Sequence, residues 1–199
     1  MRYLLGILTA ALSSLSIAAF AGTPGEDATS SALEVEALAA RKYLTGSSPA
    51  GLSQQPGGAL RVVFTPSPTS AFAVTAGALE TRAVVRGKAF STASLTREAE
   101  IGLRTRFDRG RFYAFAGSGI SFLQSESAAS YALGNYHHRE AGGGVYYSLG
   151  VRAPLTSRIT VGAELQQTID VFSFSKDPVG AGGFHAGVSL GVRFGARHP

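Results

Sequence analysis

Residues 184–194, FHAGVSLGVRF, alternate without a break: Phe184, Ala186, Val188, Leu190, Val192 and Phe194 on one side, His185, Gly187, Ser189, Gly191 and Arg193 on the other. Side chains of a strand point to opposite faces in turn, so this stretch predicts a strand with one apolar and one polar face. Its apolar face starts and ends in Phe ten residues apart. At roughly 3.3 Å per residue and a tilt near 45°, that spans about 23–25 Å, the height of the apolar band of a membrane-spanning β-barrel. Past the first 21 residues nothing approaches the ~20 apolar residues of a spanning helix, so a mature chain that crosses a membrane must do so as a closed sheet.

The beginning of the chain supplies an address. Residues 1–21 carry Arg2, an apolar run from Tyr3 to Leu12, a second apolar patch from Ile17 to Phe20, and Ala19-Phe20-Ala21 ahead of Gly22. This is the order of a secretory signal peptide with an A-x-A cleavage site, and Ser13, Ser14 and Ser16 cut the run too short for an anchor. Export would allow disulfides, but the chain has no cysteine. The net charge of +5 is spread singly along the strands, which argues against a nucleic-acid partner.

Residues 22–57 read differently, as a short N-terminal helix and a flexible linker. Ser31-Ala32-Leu33-Glu34 fits a capping box, Glu34 and Glu36 suit a first turn, Arg41 and Lys42 a last one, and Leu33, Ala37, Ala40 and Leu44 share a helical stripe. Gly46-Ser47-Ser48-Pro49 would end that helix, with a linker over 51–58. A barrel domain is then expected over 58–199.

Within it, Leu60, Val62 and Phe64 alternate first. Over 70–90 the apolar parity changes from Phe72, Val74, Ala76 and Ala78 to Ala83, Val85 and Ala89, which predicts two strands with a turn or bulge near 79–82. Clear alternation follows over 97–107, over 112–122 with Phe at both ends again, over 144–153 and over 158–166. Short turns are expected at 108–110 and 154–157, and long polar loops at 124–143 and 170–183. Five clear strands and about three from 58–90 predict an all-β, antiparallel up-and-down barrel of eight strands.

Alternation alone does not orient such a barrel, since a lipocalin-like binder turns its apolar face inward. The apolar faces here carry almost no charge and end in aromatics, while the polar faces mix Arg, Glu, Tyr, Gly and Ser, as suits a cramped interior. With the signal peptide, the aromatic spacing and the Phe-ended last strand, the pattern over 58–194 resembles the small bacterial outer-membrane β-barrels, the group of the OmpA transmembrane domain and the OmpX/Ail-like proteins. The resemblance implies a place in the bacterial outer membrane among its lipid and lipopolysaccharide. It implies a structural or adhesin-like role, with a host or envelope protein met through the loops.

An inward polar face puts Arg82, Arg86, Lys88, Glu98, Glu100, Arg104, Arg106, Arg152, Glu164 and Arg193 in one luminal charge network. Buried charges must pair, so a salt-bridged plug is expected; the excess of bases leaves a narrow, porin-like, anion-favouring solute channel as the alternative. His137-His138-Arg139-Glu140 lacks a third ligand at metal-site spacing and is expected to be a solvated loop, so neither metal nor cofactor is expected. His185 is a candidate for the histidine of an enzyme resembling the outer-membrane lipid A deacylases, but Gly187 stands where their serine would be and Ser189 lies four residues away. No enzyme activity is expected; lipid A modification and a secreted lipocalin-like binding protein are the remaining alternatives.

Overall fold

The computed structural model describes residues 31–45, 52–67, 70–132, 134–174 and 180–195. They form β1 (Ala32–Leu44), β2 (Gln54–Thr65), β3 (Phe72–Arg86), β4 (Phe90–Arg109), β5 (Phe112–Tyr131), β6 (Gly134–Pro154), β7 (Ile159–Ser173) and β8 (Gly183–Gly195). The strands close into a barrel in chain order, all antiparallel, with β8 returning to β1 from Ala32↔Gly195 to Leu44↔Gly183. The expected signal peptide lies outside the described residues.

The polar faces turn inward. Leu103 is 57% exposed, Leu149 and Val188 62%, Phe112 and Phe194 53%, while Glu36, Glu98, Lys42 and Arg152 are at most 1% exposed. That is the reverse of a soluble barrel. Phe64, Phe72, Phe107, Phe112 and Phe194 all lie near the same end, next to the connections 66–71, 110–111 and 155–158. They make an aromatic hem on one border of the apolar band. At the other border Tyr43 sits across the ladder from Phe184, and Phe122 tops the apolar run of β5.

The expected N-terminal helix and linker are corrected: 32–44 is a strand, and β2 begins at Gln54. The residues of 32–44 do favour a helix by propensity, but the same residues also alternate, and the sheet needs them. Without β1 the outer edges of β2 and β8 would lie unpaired. As a strand, 32–44 pairs with both and turns Glu34, Glu36 and Lys42 inward, whereas a helical stripe of Leu33, Ala37, Ala40 and Leu44 would have had nothing to cover.

Two further expectations fail for one physical reason. Residues 72–86 are a single strand in unbroken register with β4, from Phe72↔Thr105 to Arg86↔Ser91, with no bulge near 79–82. Residues 124–143 are not a loop but the far halves of β5 and β6, joined at 132–133. Alternation of apolar with polar is imposed only where lipid meets the outward face; beyond the apolar band that face meets water and admits charge, and Arg82 and Arg86 stay on the outward face of β3. The eight strands therefore include one from 32–44, and only two come from 58–86. β4, β5 and β6 run 20, 20 and 21 residues, about twice the 9–11 a tilted strand needs to cross. They stand beyond the band as a wall, so the asymmetry between the two ends is carried by strands more than by loops.

Glycine makes room for the large interior groups. A Cβ on Gly119 would lie 2.6 Å from Gly102 Cα and 2.7 Å from the Tyr146 ring. Gly119→Val is expected to lose about 1–3 kcal/mol, read as a lower urea midpoint in detergent micelles.

Candidate functional site

Inward positions of all eight strands contribute to a stack of polar side chains along the barrel axis. At the end near the aromatic hem, Glu34 accepts from Thr160 Oγ1 at 2.5 Å, from Arg152 Nη1 at 3.4 Å and from Arg193 Nη2 at 3.3 Å. One step further in, Glu36 takes Arg104 Nη1 at 2.8 Å and pairs with Arg152 Nη2 at 2.7 Å. Phe115, 2% exposed, lies between those arginines, with guanidinium carbons 3.9 and 5.3 Å from its ring centroid. The cations thus rest on an aromatic face while their edges serve the carboxylates.

Arg61 of β2 holds the centre. It donates through Nε and Nη2 to Glu100 at 2.8 and 2.6 Å, through Nη1 to both Glu164 oxygens at 2.7 Å, and through Nη2 to Gln166 at 3.0 Å. Gln166 in turn donates to Glu100 Oε2 at 2.9 Å. The fixed fork of a guanidinium suits this bridging of two carboxylates, and lysine could not reproduce it. Above it Lys42 pairs with Glu98, which also takes Thr168 Oγ1 at 3.1 Å and has His185 Nε2 at 3.2 Å. Gln55 donates to Ser94 at 2.8 Å and accepts from Thr81 at 2.8 Å, closing that level.

Of the residues expected in the lumen, Glu98, Glu100, Arg104, Arg152 and Glu164 are brought together, and Arg193 joins them half-buried. Arg106 has the inward parity but lies at the rim, paired with Asp108 at 2.5 Å and 4.1 Å from the Tyr113 ring centroid. Arg82, Arg86 and Lys88 do not belong: the first two face outward on β3, and Lys88 lies in the turn to β4. Glu34, Glu36, Lys42 and Arg61 take their place, unforeseen because three of them fall in the stretch whose pattern also fits a helix. With them the glutamates are matched by Lys42, Arg61, Arg104, Arg152 and Arg193, and the excess of bases that suggested an anion passage is gone.

The histidines fall elsewhere. His137 and His138 are on β6, not in a loop; His138 pairs with Glu140 at 2.6 Å and stacks on Tyr136 at 6.0 Å between centroids. His185 and Ser189 both face the interior, away from the lipid-facing wall on which a lipid A-modifying site would open. Just beyond the apolar band the outward face carries a cross-strand ladder: Arg97 to Glu80 at 2.9 Å, Arg97 to Glu126 at 3.4 Å and Arg139 to Glu126 at 3.4 Å. Alternating charge there marks where the wall enters water.

No protein-family model matches the sequence, and no curated protein does. Solved structures do. Ail, the attachment invasion locus protein of Yersinia pestis, is 10% identical with a TM-score of 0.56, over 84% of this chain and 100% of that one. It has also been solved in complex with sucrose octasulfate, a heparin analogue. A major outer membrane protein from Thermus thermophilus is 13% identical with a TM-score of 0.56, over 82% and 99%. The N-terminal β-barrel domain of Pseudomonas aeruginosa OprF is 12% identical with a TM-score of 0.52, over 82% and 97%. At such identities the likeness is one of fold: this chain has the barrel fold of small bacterial outer-membrane proteins.

Proposed function

We propose that the chain is an integral outer-membrane barrel, exported behind a signal peptide cleaved after Ala21, whose lumen is sealed and whose work is surface interaction rather than transport or catalysis. The observation that carries this is the pairing of an outward apolar band with a polar wall of β4, β5 and β6 beyond it. A chain serving only to fill the membrane has no use for strands twice the spanning length. The wall presents Tyr131 and Tyr136, both about half exposed, with His137 and Arg139 close by. Amphipathic rings and cations of this kind suit contact with a protein or an anionic glycan on another cell, and the sulfated ligand of Ail, on the same fold, supports that direction.

The interior favours a plug over a channel, because a passing ion would have to replace hydrogen bonds that Arg61 makes to Glu100, Glu164 and Gln166 at once. Two measurements test these roles. In planar bilayers the folded protein is expected to give no conductance steps; regular single-channel steps would overturn the plug. Replacing 126–138 by a two-residue turn should leave detergent extraction and heat-dependent gel migration unchanged while abolishing attachment of expressing cells to a host-cell layer. Undiminished attachment would remove the wall's proposed role.

A further inference from the structure

Arg41 is an outward residue of β1, exposed, with Ala39 and Tyr43 as its outward neighbours on the strand and Pro56 and Ala186 across the ladders. Among the described residues no carboxylate pairs with it, although the interior cations Lys42, Arg61, Arg104, Arg152 and Arg193 all have partners. A cation on the lipid face is costly at mid-depth and tolerated near the interface. Arg41 lies one inward–outward step below Tyr43 and Phe184, at the border of the band on the side of the long connections. At that depth lipid headgroups lie within reach of its guanidinium.

An open furrow of about 1070 Å³ runs from Arg41 across the outer wall, over β8 and β7, to Leu149 and Val151 of β6 and Ala114 of β5. Its floor is low where Ala39, Ala163 and Ala186 face out, and Leu165 and Val188 stand beside them. The register makes it continuous: Arg41, Ala186 and Leu165 form one row, Ala39, Val188 and Ala163 the next. An apolar channel under a lone guanidinium complements a phosphate carrying an acyl chain, since a guanidinium binds phosphate bidentately.

We propose that this furrow seats one molecule of lipid A, its phosphate on Arg41 and one acyl chain along Ala186, Ala39 and Ala163. This rests on the outer-membrane placement proposed above: such barrels turn their short connections to the periplasm, so Arg41, near the opposite end, lies in the outer leaflet.

The test is native mass spectrometry of the full chain released from phosphatidylcholine vesicles doped with lipid A or with phosphatidylglycerol, folding being checked separately by heat-dependent gel migration. One retained lipid A per barrel is expected, with phosphatidylglycerol retained far less. Arg41→Gln should lower lipid A occupancy about tenfold, the loss of one charge-assisted contact. Ala39→Leu, which fills the floor and spares the cation, should lower it too, and Arg82→Gln should leave it unchanged. Equal retention of both lipids, or unchanged occupancy in a folded Arg41→Gln barrel, would overturn the site. Failure to fold in any vesicle would count instead against the membrane placement.

Discussion

Arg61→Met is expected to destabilise the barrel by about 3–5 kcal/mol, the cost of leaving buried carboxylates without their cation. The methionine fills much of the volume and removes every donor. Glu100 and Glu164, at no more than 3% side-chain exposure, are then left with Gln166 on Glu100 and with Arg104 at 3.6 Å and Arg152 at 3.8 Å from Glu164. The measurement is the urea midpoint of the folded protein in micelles, with the folded fraction read from gel migration. The double variant Arg61→Met with Glu164→Gln should recover part of the loss, because one of the stranded charges has gone with its partner. A single variant as stable as the parent would mean that water reaches the stack and that it does not seal the lumen.

An arginine placed at Leu149 should cost about 2–4 kcal/mol, the penalty for a cation near the middle of a bilayer. Leu149 is outward and 62% exposed, halfway up the apolar run of β6 between Val151 and Tyr147. The same change at Ala93, an outward residue of β4 across from Val84 and well past the band, should lie within about 0.5 kcal/mol of the parent. Both variants are refolded into vesicles and unfolded in urea. Equal, small effects at the two sites would mean that water, not lipid, surrounds Leu149, and the barrel would then be a soluble one. The contrast between the sites decides, since each barrel carries the same added charge.

The membrane-crossing parts of 97–107, 112–122, 144–153, 158–166 and 184–194 are legible because lipid penalises outward charge, so a mostly apolar outward face alternates there with a polar inward one. Where lipid ends, the signal ends. That is why β3 looked broken at Arg82 and why the upper halves of β5 and β6 looked like a loop. β1 is not legible as a strand for a different reason: ALEVEALAARKYL satisfies a helical and a strand pattern together, and local preference favours the helix. Its strand parity was nevertheless present, Leu33, Val35, Ala37, Ala39 and Tyr43 against Glu34, Glu36 and Lys42.

By itself, then, the order of residues determined that this chain makes a sheet with one apolar and one polar side, of a height that suits a bilayer, because side-chain alternation is a local property of extended backbone. Only the closed barrel decided which charges meet. Glu36 finds Arg104, and Arg61 finds Glu164, across distances in sequence of 68 and 103 residues. Such partners are fixed by ladder register and by the curvature that brings opposite walls within reach of a guanidinium, and neither is written in any one stretch of the chain.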